Sequence, residues 1–103
     1  MIYHVTTAAE WNNAQSKGFY EVASLHSEGF IHMSKKEQVA GVLERYYKNV
    51  PELILLHVDE TLIKAELKYE RSPSLNEEFP HVYGPLNLDA VLNAEKIISC
   101  SVI

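Results

Sequence analysis

Three of the five histidines of this 103-residue chain lie inside short aromatic and aliphatic runs. The runs are Ile2-Tyr3-His4-Val5, Phe30-Ile31-His32-Met33-Ser34 and Phe79-Pro80-His81-Val82-Tyr83-Gly84. Runs of this kind, rich in aromatic and β-branched residues, commit the backbone to buried, extended pieces. Each strand then carries an imidazole into a sheet that is otherwise apolar. Imidazole donates, accepts or ligates near neutral pH. For any one of these residues the simpler role is a core histidine bonded to a backbone carbonyl. Three in like surroundings also fit one shared polar site at the strand ends.

The rest of the chain reads as strands and two main helices. Thr7 followed by Glu10 is a capping box, which predicts a helix over 11–17 stopped by Gly18. Phe19 and Tyr20 start a short extended piece, and 23–28 reads as a turn leading to Gly29. Ser34 followed by Glu37 is a second capping box. It opens a helix through about Tyr47, with Val39, Val42, Leu43, Tyr46 and Tyr47 on the inner stripe. Asn49, Val50 and Pro51 break it. The unbroken aliphatic run 53–58 predicts a central strand. Residues 59–62 read as a turn. Residues 63–69 alternate apolar and charged, the pattern of a half-exposed strand. A polar loop over 71–78 leads to a strand over 79–83, which Gly84-Pro85 stops. A turn over 88–92 and a last strand over 97–102 complete an α+β domain of five to seven strands.

Composition narrows the function. The formal net charge is −5, so nucleic acid is not expected as a partner, since phosphate binding draws on a basic patch. Lys35, Lys36, Arg45 and Lys48 read as a solvated helix face. The single Cys100 excludes an intrachain disulfide and a multi-cysteine zinc site. It fits a reducing, cytoplasmic setting and reads as a strand residue. Met1 leads straight into a strand-like run, with no signal peptide expected. No apolar stretch approaches the roughly 20 residues that span a membrane, and no membrane association is expected. The two-histidine helix spacing that often accompanies zinc is absent, and no metal is expected.

Beside His4, His32 and His81, four residues are candidates for a site. Ser34 lies two positions past His32 and shares its face if the strand extends that far. Its simpler role is the helix cap, and the amides of that helix start suit an anion. Glu28 and Glu70 are the carboxylates nearest the apolar motifs and would serve as general bases if they lay in a cleft. Glu70 beside Arg71 also reads as an exposed ion pair. Tyr83 packs an aromatic ring against the Gly84 turn.

The motifs Glu28-Gly29-Phe30-Ile31-His32-Met33-Ser34 and Phe79-Pro80-His81-Val82-Tyr83-Gly84-Pro85-Leu86 are highly particular. With Tyr3-His4, Ser24-Leu25, Gln38-Val39, Leu56, Asp59 and Tyr69-Glu70, they make the chain resemble a family of small bacterial proteins, domain of unknown function 952. The resemblance spans nearly the whole chain. That family in turn resembles a divergent ADP-ribosyltransferase fold, a split β-sandwich with NAD in its cleft. The resemblance implies a small-molecule ligand of nucleotide type, with NAD as a substrate, and leaves any protein partner unspecified. It assigns His4 to hold a ribose and His32, with Ser34 and the helix after it, to line the ring pocket. His81 falls near the position where the fold often carries a catalytic Glu. A neutral imidazole there acts as a base but lacks the negative charge that steadies an oxocarbenium-like transition state. Some members of the fold, such as RNA 2′-phosphotransferases, work without that Glu. Two other readings stay open: a non-enzymatic binding module on the same fold, and a metal-dependent hydrolase built on the three histidines.

Overall fold

The computed structural model describes residues 1–50, 52–73 and 75–97. In chain order the strands are β1 (Ile2–Thr6), β2 (Phe19–Tyr20), β3 (Ile31–His32), β4 (Leu53–Val58), β5 (Glu66–Ser72), β6 (Glu77–Tyr83), β7 (Leu86–Asn87) and β8 (Val91–Ile97). The α-helices are α1 (Ala8–Lys17), α2 (Ala23–Ser27) and α3 (Val39–Tyr46). The radius of gyration, 13.0 Å, is that of one compact domain of this length.

All strand pairing is antiparallel and falls into three sheets, ordered β1-β4-β8, β2-β7 and β3-β6-β5. One bridge joins the first sheet to the third: the Tyr3 amide donates to the Ser34 carbonyl (2.8 Å) and the Ser34 amide to the Tyr3 carbonyl (2.7 Å). The core gathers where the sheets meet. Ile2, Tyr20, Ile31, Met33, Leu56, Val58, Val82 and Leu86 are buried there. Trp11 of α1 and Leu25 of α2 pack against them. Each large apolar side chain so buried contributes about 1.5–3 kcal/mol relative to exposure. The aliphatic run of β4 lies at the centre of its sheet, as its sequence predicts.

Thr7 caps α1 as expected, its Oγ1 accepting from the Glu10 amide at 3.1 Å, and the helix starts at Ala8, ahead of the 11–17 expected, because the first turn follows the cap directly. It stops where Gly18 turns to φ 92°, a conformation that favours glycine. Elsewhere the structure corrects the reading. Residues 23–27 form a short helix, α2, in place of a turn. The second cap falls one residue later than Ser34. The backbone of Ser34 is engaged with Tyr3, so the Lys35 amide donates instead to Gln38 Oε1 (2.9 Å) and a 3₁₀ turn over Lys36–Gln38 leads into α3. Tyr46, expected on the inner stripe, is 66% exposed, because α3 ends there and Tyr47 turns inward toward the Val5 carbonyl.

The strand expected over 63–69 starts and ends three residues later, as β5. Arg71 and Ser72 of the expected loop belong to β5, and Glu77 and Glu78 to β6. The two strands form a hairpin. Asn76 sits in that turn at φ 55°, a region asparagine tolerates, and its Oδ1 accepts from Arg71 Nη1 at 2.5 Å. The expected turn over 88–92 is a 3₁₀ turn only over Leu88–Ala90, after which the chain enters β8. Of the last strand expected over 97–102, only Ile97 lies among the described residues, and it ends β8. Cys100 lies outside them. The count of described strands is therefore eight, above the five to seven expected.

Candidate functional site

The register of the third sheet builds the site. His32 pairs directly with His81, and His81 with Lys68. One step along, Ile31 pairs with Val82, and Val82 with Leu67. Side chains alternate between faces along a strand. Ile31 and Val82 therefore enter the core, both fully buried. His32, Lys68, Glu70, His81 and Tyr83 share the opposite face. That face and the last turn of α3 enclose a cavity of about 810 Å³, within the range of small-molecule pockets. Its lining includes all seven residues singled out from sequence: His4, Glu28, His32, Ser34, Glu70, His81 and Tyr83.

The seven do not stand alike. His81 Nδ1 lies 2.7 Å from Glu70 Oε1, and Tyr83 donates its hydroxyl proton to the same oxygen. A carboxylate only accepts, so Nδ1 carries the proton and Nε2 of a neutral His81 is left as an acceptor. Nε2 bonds no described residue. The Tyr83 and His81 hydrogen bonds hold the Glu70 carboxyl below its usual range, and the same Glu70 bond pushes the Tyr83 hydroxyl up to about 12. Glu70 thus has a fixed partner, and the partner is His81 rather than the adjacent Arg71. Phe30 stacks on His81 with ring centres 4.0 Å apart and planes at 18°. It meets His32 edge-on at 4.8 Å.

α2 places Glu28 and Phe30. Gly29 follows that helix at φ 92°, its amide held by the Ser24 and Leu25 carbonyls, and Ser24 Oγ donates to the Phe30 carbonyl at 2.9 Å. The reversal sets Glu28 Oε1 3.2 Å from His32 Nε2. The His32 and His81 rings stand edge to face with centres 5.3 Å apart. Both imidazoles have a carboxylate on one nitrogen and no described partner on the other.

His4 differs. Its Nδ1 lies 2.5 Å from the His32 carbonyl, which can only accept, so the proton sits on Nδ1. Nε2 then accepts from the Tyr20 hydroxyl at 2.7 Å, and Thr6 Oγ1 lies 2.7 Å further along the chain of hydroxyls. Burial drives the His4 pKa down to about 4 and raises that of Tyr20. Both ring nitrogens are therefore committed inside the protein, and the ring that the resemblance assigns to a ribose braces the backbone of His32. Ser34 is buried at the seam between the sheets and reaches the cavity wall without capping the helix.

Phe30 and Arg45, which line the cavity, were missed as site residues. Lys68 Nζ sits 4.9 Å from the Tyr83 ring centre. The charged alternation at 64, 66 and 68 reads as a solvated face, and it continues to Glu70, which does line the cavity. Arg45 lines the cavity from α3 beside Tyr46. Among the described residues no three or more His, Cys, Asp or Glu side chains group to hold a metal ion. No helix among them is long and apolar enough to cross a membrane.

These features define a class: a compact α+β domain of antiparallel sheets whose histidine–carboxylate pairs face a cavity under a helix end. The chain belongs to the family described as protein of unknown function (DUF952), which matches residues 5–94. Crystal structures of protein CC0527 from Caulobacter crescentus, one of them a double mutant, are similar to it at 32% identity and a TM-score of 0.84, covering 92% of this chain and 83% of theirs. The solution structure of CC0527 gives a TM-score of 0.81 at 32% identity, covering 94% and 84%. No curated protein matches the chain.

Proposed function

We propose that the cavity binds a small nucleotide of the NAD or ADP-ribose type, on an ADP-ribosyltransferase-like fold, with His81 as its general base. The carrying observation is the His81–Glu70 pair, 2.7 Å apart, inside an aromatic-lined cavity of about 810 Å³. Glu70 fixes the tautomer, and Nε2 is left to take a proton from water or an acceptor hydroxyl. Phe30, Tyr46 and Tyr83 offer ring surfaces for a planar base. Arg45 lines the same cavity and pairs with no carboxylate among the described residues, so its charge is open to a phosphate.

The fold reading draws support from two three-stranded sheets that meet at one bridge beside the cavity. Where the fold often carries a catalytic Glu, this reading has the His81–Glu70 pair, with the carboxylate held on the imidazole. A cytoplasmic setting, suited to such ligands and to a lone cysteine, goes with this reading.

The test is a thermal-shift panel with NAD, ADP-ribose, nicotinamide and zinc on wild type, Arg45→Met and His81→Ala. Ligand at 100 times its dissociation constant adds about 2.7 kcal/mol of stability. NAD or ADP-ribose should raise the melting temperature, and Arg45→Met should weaken the shift. A panel with no nucleotide shift sinks the reading. A shift with zinc alone favours the metal-dependent alternative.

A further inference from the structure

A single base would suffice to split NAD, because nicotinamide leaves as a neutral molecule and needs no proton. Of the three imidazoles that line the cavity, two have a nitrogen with no described partner. His32 and His81 are direct cross-strand partners with ring centres 5.3 Å apart. Each bonds a carboxylate through one nitrogen, Glu28 at 3.2 Å and Glu70 at 2.7 Å. Each has its other nitrogen free of described partners. A second acid–base group gains rate only when the leaving atom must be protonated, as an alkoxide must.

Resting on the nucleotide-ligand reading above, we infer that the pair hydrolyses a cyclic phosphodiester of a nucleotide, His81 acting as base and His32 as acid. Water attacks phosphorus and loses its proton to His81 Nε2. The phosphorus bond to one ribose oxygen breaks, its electron pair stays on that oxygen, and protonated His32 delivers a proton there through Nδ1. The product is a phosphate monoester. One proton has entered His81 and one has left His32, and exchange with solvent restores both. Glu28 balances the charge of protonated His32, and Glu70 that of His81 once protonated. Arg45, with no carboxylate partner among the described residues, lies on the same wall to hold the anionic oxygens. Glycoside cleavage fits less well. It draws on two carboxylates flanking the bond, and here both carboxylates bond imidazoles.

The experiment incubates the full chain with 2′,3′-cyclic AMP and follows monoester formation by phosphorus NMR. His32→Ala and His81→Ala should each slow conversion at least about 100-fold. His57→Ala, on the other three-stranded sheet, should leave it unchanged. His81→Gln, with its melting temperature measured, separates loss of chemistry from loss of fold. No conversion by wild type, or conversion that survives His32→Ala, overturns the inference. An ADP-ribose thermal shift without conversion also overturns it while leaving the binding reading intact. Conversion without any NAD or ADP-ribose shift supports the two-imidazole step and removes that ligand class.

Discussion

His4 and His81 lie on different sheets in apolar runs that look alike, and the two perform opposite tasks. His4 has both nitrogens bonded inside the protein, to the His32 carbonyl and the Tyr20 hydroxyl. His81 has one nitrogen on Glu70 and the other bonded to no described residue. The first arrangement keeps the ring neutral and fixes backbone. The second fixes a tautomer and leaves a base available. What separates them is how many of the ring's two sites the fold consumes, and the flanking residues do not determine that number.

The contrast breaks most easily at His4. His4→Ala leaves the His32 carbonyl and the Tyr20 hydroxyl without their partner and opens a void, so it should cost about 3 kcal/mol in urea unfolding. A loss below about 1 kcal/mol would mean that His4 is not a structural brace. The same residue sets a pH dependence. The folded state holds His4 at about 4, against 6.5 for the ordinary group, so the unfolded chain binds a proton that the folded chain refuses. Stability is full above pH 6.5 and falls as pH drops toward 4, by up to a few kcal/mol. Glu70, Asp59 and Asp89, whose carboxyls are also lowered, add losses of the same sign at lower pH. Unfolding curves at pH 7 and pH 5 should therefore differ more for wild type than for His4→Ala. Equal differences would assign the dependence elsewhere.

Tyr20→Phe sharpens the comparison from the side of the partner. It removes the donor to His4 Nε2 and should cost about 1 kcal/mol by thermal unfolding. The smallest effect is expected at His32, whose side chain is 52% exposed. His32→Ala should change stability by less than about 0.5 kcal/mol, and a larger loss would place His32 with His4 among the braces.

Much of this contrast lies beyond what one sequence carries. The runs around His4, His32 and His81 announce strands, and Thr7 with Gly18 announces the limits of α1. The family resemblance picked out residues that now share a cavity. The Glu70–His81 pair was hidden because it depends on the β5–β6 register, which a polar stretch over 71–78 disguised as a loop. The strand β8 was hidden for a related reason. Its residues Leu92 to Lys96 are exposed, so β8 is held by backbone pairing to β4 with little apolar signal. α2 is five residues long and has no side-chain cap, leaving nothing for a pattern to detect. The role of His4 depends on Tyr20, sixteen positions away in sequence.

The Tyr3–Ser34 bridge has a mechanical meaning as well. Two plates riveted along one short seam, by this rung and the His4 bond to the His32 carbonyl, can change their angle about that seam. The cavity lies beside that rivet, with Ser34 in its wall and β1 behind it. The two amides at the joint are therefore natural strain gauges. Their hydrogen-exchange rates should register anything that wedges the plates apart or draws them together, including an occupant too small to perturb any other part of the backbone.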